Sequence, residues 1–205
     1  MKKELSKTYD PVNIESKWYD IWESSKAFIP NEEDDTFTLM IPPPNVTGIL
    51  HIGHVLNNTI QDVLVRHARM LGKNTLWVPG TDHASIATEA KVTKLLKSQG
   101  IDKKEIGREA FLKHCWDWTD KYGGIIIKQL KRLGNSCDWS KQRFTMDEKY
   151  YDSVIEAFIT LYNQGLIYQG TRMVNWDCTA LTAVSDEEVN YREEKSFLWH
   201  IKYPI

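Results

Sequence analysis

A short β-prone run, Thr36-Phe37-Thr38-Leu39-Met40-Ile41, ends against three consecutive prolines, Pro42, Pro43 and Pro44, and this junction constrains the fold more than any other stretch of the chain. Proline offers no N–H to a ladder, so a strand must stop there. Beyond Gly48 a long segment carries Leu56, Ile60, Val63, Leu64, Ala68 and Leu71 on one face at helical spacing, and Gly72 stands where a helix end calls for positive φ. Asn74 to Gly80 then reads as a second strand. Strand, helix and strand in that order predict a parallel pair joined by a right-handed crossover, with the first strand buried, and so an α/β fold built on a parallel sheet with flanking helices.

The rest of the chain fits around that unit. Pro11 to Phe28 begins with proline and spaces Ile14, Trp18, Ile21 and Trp22 as an amphipathic helix, an N-terminal brace set off by the acidic loop Asn31-Glu32-Glu33-Asp34-Asp35. Thr145 and Glu148 have capping-box spacing before Tyr151, Val154, Ile155, Phe158 and Leu161, and Gly165 closes this second helix. Leu166 to Trp176 and Phe197 to Tyr203 alternate in part, which predicts further strands. The last run stops at Ile205 without a polar tail, so the chain is expected to be part of something longer.

With 205 residues, 41% of them hydrophobic, and a formal charge of -2, the chain can build a sizeable core, and near-neutrality leaves nucleic-acid binding to be argued from motifs. No apolar run approaches the roughly 20 residues of a membrane span, and the Lys-rich start leads into Tyr9-Asp10-Pro11, so a soluble, cytoplasmic protein is expected. Cys115, Cys137 and Cys178 form no Cys-x-x-Cys pair and are expected to be buried thiols.

The chemistry is concentrated in Pro42-Pro43-Pro44-Asn45-Val46-Thr47-Gly48-Ile49-Leu50-His51-Ile52-Gly53-His54, between the first strand and the long helix. N–H groups at a helix start carry partial positive charge, and this edge of a parallel sheet is where ligands bind, so the place suits a phosphate. His51 and His54 can donate to phosphate oxygens, and Gly53 is expected to leave room for a nucleotide. The competing reading makes the imidazoles incidental or a zinc pair; no Cys or carboxylate in register supplies the other ligands, so no metal is expected. A second block, Gly80-Thr81-Asp82-His83-Ala84-Ser85-Ile86-Ala87-Thr88, puts the Asp82 carboxylate at the end of the second strand, able to hold an ammonium group, to cap a helix from about Ser85, or both.

The first block resembles the His-Ile-Gly-His signature of the class I aminoacyl-tRNA synthetases, and the preceding Pro-Pro-Pro-Asn-Val-Thr-Gly is similar to the form in valine-specific members, where isoleucine- and leucine-specific relatives usually differ. The block from Gly80 to Thr88 resembles the same members, as do Tyr9-Asp10-Pro11 with Ile14-Glu15 and Lys17-Trp18, the turn from Leu133-Gly134 to Asp138-Trp139-Ser140, and Val174-Asn175-Trp176 with Ser185-Asp186-Glu187-Glu188-Val189. For Trp139 itself, core packing is the expected role. The resemblance implies a Rossmann-like catalytic domain over 36–190, preceded by a helical extension at 1–35 and followed at 191–205 by the root of an inserted editing domain. It implies ATP with magnesium as substrate, L-valine and tRNA(Val) as partners, and no tightly bound cofactor.

By the same resemblance His51, His54 and Thr47 act in catalysis, His51, Gly53, His54 and Thr47 bind ATP, and Pro43, Asn45 and Asp82 bind the amino acid. Two departures stand out. Trp176-Asp177-Cys178-Thr179 offers one cysteine where some members carry zinc-type pairs, so no zinc is expected, and the family's Lys-Met-Ser-Lys-Ser loop is nowhere in these residues. A piece lacking that loop is expected to be inactive alone. The rivals are an isoleucine-specific or other amino-acid-activating relative, and a non-catalytic synthetase-like module that binds nucleotide or RNA.

Overall fold

The computed structural model describes residues 7–31 and 35–204, so the centre of the acidic loop, 32–34, lies outside the described residues. The chain divides into two compact units, Met1–Ala157 and Phe158–Ile205.

In the first unit, helix α1 (Pro11–Ser24) starts with proline in its first turn and with the Asp10 carboxylate accepting the Val12 N–H. Its anchor is Tyr19, whose hydroxyl donates to Asn135 O at 2.7 Å and accepts from Trp139 Nε1 at 2.7 Å. The apolar residues Trp18 and Ile21 remain 48% and 41% exposed. The helix is therefore held by the buried Tyr19 phenol and by ion pairs of Glu15 and Glu23 with Arg132 and Lys131, more than by burial of Trp18 and Ile21.

Strand β1 (Thr36–Met40) and strand β2 (Asn74–Val78) pair in parallel, Thr36 opposite Asn74 through Met40 opposite Val78, with helix α2 (Ile52–Met70) between them in sequence. The strand–helix–strand expectation holds, and Gly72 ends the helix at φ +80°. Two details differ. β1 alternates exposed and half-buried residues instead of being buried, because β2 is its one partner and Thr75 and Trp77 of β2 take the interior positions.

The second difference is the roll of α2. Leu56, Ile60, Val63, Leu64 and Leu71 are all more than half exposed, while Asn58, Val65 and Ala68 are buried. The inward side joins Val65 and Ala68 to polar residues, most of which are paired, with Asn58 Nδ2 buried without a partner. Gln61 accepts from Trp77 Nε1 at 3.2 Å, Asp62 accepts from Ser136 N at 3.0 Å, Arg66 donates to Gly134 O at 2.8 Å, and Arg69 donates to Ser136 Oγ and O at 2.6 and 2.8 Å. Buried polar groups are tolerated when they find partners, and Trp77 and the turn 134–136 supply them for these four side chains.

Strand β3 (Gly80–Thr81) leads into helix α3 (Ser85–Ser98) and then helix α4 (Lys103–Arg132), which the sequence pattern does not announce. Gly107 at φ +77° interrupts α4, and paired glycines at Gly123 and Gly124 lower its apparent propensity. A Cβ at Gly123 would lie 3.9 Å from Val46 Cγ1, an ordinary contact, so the helix runs beneath the loop after β1 without requiring glycine there. Ile126, Leu130, Ile41, Val46, Val65, Trp77 and Cys137 form the main core, with Trp139 packed against it as expected, and Val92, Leu96 and Phe111 form a second cluster between α3 and α4.

Strand β4 (Arg143–Phe144) pairs in parallel with β3. Helix α5 (Glu148–Asn163) spans the boundary between the units, and Gly165 follows it at φ +74°. Thr145 does not cap α5; its hydroxyl is engaged elsewhere.

In the second unit, strands β5 (Asn175–Asp177) and β6 (Thr182–Val184) form an antiparallel hairpin. Residues 166–174 and 197–203 form no strand, and Phe197, Trp199 and Tyr203 are about 80% exposed, so alternation there found no ladder to join. The thiols also differ from expectation: Cys137 is buried, Cys115 is half-buried and Cys178 is exposed. Among the described residues no helix is long and apolar enough to cross a membrane.

Candidate active site at the ends of the parallel strands

The chain leaving β1 runs alongside the chain leaving β3. Val46 N donates to Asp82 O at 2.9 Å and Asp82 N donates to Pro44 O at 2.8 Å, a parallel bridge that sets Asn45 beside Asp82. Helix α4 supports this loop from below: Trp118 Nε1 donates to Val46 O at 2.8 Å, and Gln129 Oε1 accepts the Leu50 N–H at 2.9 Å. Two expected amino-acid-binding residues therefore share one backbone register, and Pro43 precedes them on the same loop, exposed.

His51 is the N-cap of α2, with extended φ -124° and ψ 174°. Its Nδ1 accepts the Gly53 N–H at 3.1 Å, while His54 Nδ1 accepts the His51 N–H at 3.2 Å, a capping box made of two imidazoles with ring centroids 4.0 Å apart. A nitrogen that accepts from an N–H carries no proton. Both neutral rings therefore hold their proton on Nε2, the nitrogen left free to donate. Burial, then electrostatic repulsion from the neighbouring His51 ring, lowers the His54 pKa below its usual value, which favours the same neutral form.

Gly53 has a steric reason of its own. A Cβ on Gly53 would lie 2.9 Å from His51 Cε1 and 3.1 Å from His51 Nδ1, so the space above its backbone is taken by the His51 ring rather than left open for a nucleotide. Pro43, Pro44, Asn45, Thr47, Ile49, Leu50, His51 and His54 line a cavity of about 260 Å³. Five of the residues singled out in the sequence, Pro43, Asn45, Thr47, His51 and His54, are thus brought together, with Asp82 reached through the bridge to Asn45.

Asp82 is not the N-cap of α3. That position belongs to Ala84, a left-handed residue at φ 43° with no side-chain cap bond. Asp82 Oδ1 accepts instead from Ala84 N at 3.1 Å and from Thr145 Oγ1 at 3.1 Å, with His83 Nδ1 3.3 Å away. Left-handed geometry at a residue with a Cβ costs of order 1–3 kcal/mol, and here it turns the chain so that both Asp82 and His83 face Thr145. Sequence reasoning missed Thr145, Trp118 and Gln129, which lie 63 to 79 residues from their partners. Among the described residues no group of three or more His, Cys, Asp or Glu side chains is placed to hold a metal ion.

The sequence model of the tRNA synthetases class I (I, L, M and V) matches residues 17–203. Valine--tRNA ligases of Bacteroides fragilis and Fusobacterium nucleatum are 60% and 56% identical to this chain over 203 and 204 residues, covering 98% of it and 23% of each relative. The chain therefore spans about a quarter of the length of the curated relatives it matches. The fold is shared with a LeuRS of Agrobacterium radiobacter K84, solved as a LeuRS-tRNA-LeuAMS ternary complex, at a TM-score of 0.67 and 24% identity over 88% of this chain and 22% of that one.

Proposed function

The chain belongs to the class I tRNA synthetases, and we propose that it forms the part of a valine--tRNA ligase that binds valine and the phosphates of ATP. The observation that supports this reading is the bridge between Asn45 and Asp82, with Asn45 lining the same cavity as His51 and His54. Relatives of valine specificity at close to 60% identity favour valine over isoleucine.

The reaction is attack of the valine carboxylate on the α-phosphorus of ATP, which gives valyl-adenylate and pyrophosphate, followed by transfer of the valyl group to the terminal adenosine of tRNA(Val). Neither step needs a protein nucleophile. Catalysis rests on positioning and on stabilising the charge spread over phosphoryl oxygens. His51 and His54 donate from Nε2 to those oxygens, Thr47 adds a hydroxyl, and ATP brings magnesium as part of the substrate. Asp82 and Asn45 hold the valine ammonium while Pro43 walls the side-chain pocket. Such a pocket excludes isoleucine by size but rejects isosteric threonine only weakly, which is why an editing site is the expected companion. In this reading 36–190 belongs to the catalytic domain, 1–35 is its helical extension, 191–205 begins the editing insert, and the enzyme works in the cytoplasm.

The test is ATP–pyrophosphate exchange by a chimera in which this chain replaces the matching 203 residues of the Bacteroides fragilis relative. Exchange driven by valine, weakly by threonine and barely by isoleucine is expected. Preference for isoleucine, or no amino-acid-dependent exchange from a folded chimera, would overturn the reading.

A further inference from the structure

The Thr145 hydroxyl meets two consecutive residues, His83 and Asp82, that lie 62 and 63 residues before it in the chain. Its Oγ1 lies 2.9 Å from His83 N, 2.6 Å from His83 Nδ1 and 3.1 Å from Asp82 Oδ1. Its backbone is fixed as well: Thr145 N donates to Thr81 O at 3.1 Å as the β3–β4 pairing ends, and Phe144 N donates to Asp147 Oδ2 at 2.9 Å.

A hydroxyl has one proton and two lone pairs, and the three neighbours use all of them in one way. An ionised Asp82 can only accept, so the Thr145 proton goes to Asp82 Oδ1. The two lone pairs then accept from the His83 backbone N–H and from a proton on His83 Nδ1. The reverse assignment, with Thr145 donating to His83 Nδ1, sets an oxygen lone pair against the carboxylate at 3.1 Å. His83 is thereby fixed with its proton on Nδ1, the opposite tautomer to His51 and His54.

We infer that Thr145 is a positioning residue for amino-acid recognition: its hydroxyl holds Asp82 and His83 in one arrangement, so that Asp82 Oδ1 is tied down and Oδ2 is left to meet an ammonium group. This rests on the reading of Asp82 as the ammonium ligand. Thr145 acts through Asp82, whose carboxylate would otherwise be held by groups of its own turn, the Ala84 N–H and the His83 ring 3.3 Å away.

Thr145→Val keeps the shape and removes the hydroxyl, and Thr145→Ser restores it. In the chimera described above, Thr145→Val should raise the valine KM about ten- to a hundredfold, the worth of a hydrogen bond to a charged group, with kcat and the ATP KM within about twofold. Thr145→Ser should return the valine KM to within about threefold of the parent. A merely structural role would lower kcat and raise both KM values together, and Ser would not separate them. Asp82→Asn, measured beside these, keeps the two readings apart. If Asp82→Asn raises the valine KM and Thr145→Val does not, the positioning role is wrong; if Asp82→Asn leaves the valine KM unchanged, the ammonium reading falls and this inference falls with it.

Discussion

The two corners of the site sit on the same edge of the parallel strands and are built in opposite ways. The His51–His54 corner is closed within four consecutive residues, by side chains that cap the helix they belong to. The Asp82 corner is closed by a threonine 63 residues away, and it exists only when β4 is docked beside β3. The first corner travels with α2 as a self-contained piece. The second depends on α3, α4 and β4 folding back, so ATP-phosphate binding and amino-acid binding should respond to different perturbations.

The strongest way to break the first corner alone is Gly53→Ala. Its Cβ would meet the His51 ring at 2.9 Å, so the imidazole must shift from the position in which it caps α2. Loss of a donor aimed at a developing oxyanion costs on the order of 10²–10³ in kcat, and that is the expected fall in valine activation, with the valine KM within about twofold. His51→Ala and His54→Ala should show the same split. A Gly53→Ala enzyme with parental kcat would show that the rings need not hold this arrangement.

The second corner is tested by Asp82→Asn, with a smaller effect of the opposite kind. An amide oxygen can still accept from Ala84 N and Thr145 Oγ1, so the unfolding midpoint should shift little, while loss of the charge raises the valine KM by about ten- to a hundredfold and leaves the ATP KM near its parental value. A large drop in melting temperature with valine binding intact would assign Asp82 to the fold instead. Either variant changing both KM values would mean that the corners are coupled more tightly than their construction suggests.

The same contrast explains what the sequence could show. His51, Gly53 and His54 lie within one turn of helix and their spacing is visible, as are the prolines that stop β1 and the glycine that ends α2. Thr145 was legible only as a capping residue, because nothing near it in sequence reveals that Asp82 competes for its hydroxyl. The roll of α2 was hidden for the same reason: hydrophobic periodicity points Leu56, Ile60 and Leu64 inward, but Gln61, Asp62, Arg66 and Arg69 find saturated hydrogen bonds on Trp77 and the 134–136 turn, which no pattern within the helix encodes. Helix α4 escaped through its interior glycines, of which Gly107 stands at φ +77° and breaks the periodicity.

The smallest effect sharpens the comparison by pH. Burial and the neighbouring His51 lower the His54 pKa below the ordinary 6.5, so the folded chain binds the proton more weakly than the unfolded chain does. In that window the unfolded state holds more protons, and stability rises with pH. The contribution of neutral His54 is thus present above 6.5 and is lost as pH falls below it toward the folded value, because a protonated Nδ1 can no longer accept the His51 N–H and the capping box opens. Glutamine at the same position can accept that N–H and does not titrate. The denaturant midpoint of the parent should therefore drop further than that of His54→Gln between about pH 7.5 and 5.5, all other titrating groups being common to the two. Identical slopes for the parent and His54→Gln would mean that the imidazole is not the acceptor in the box, and the tautomer assigned to the first corner would go with it.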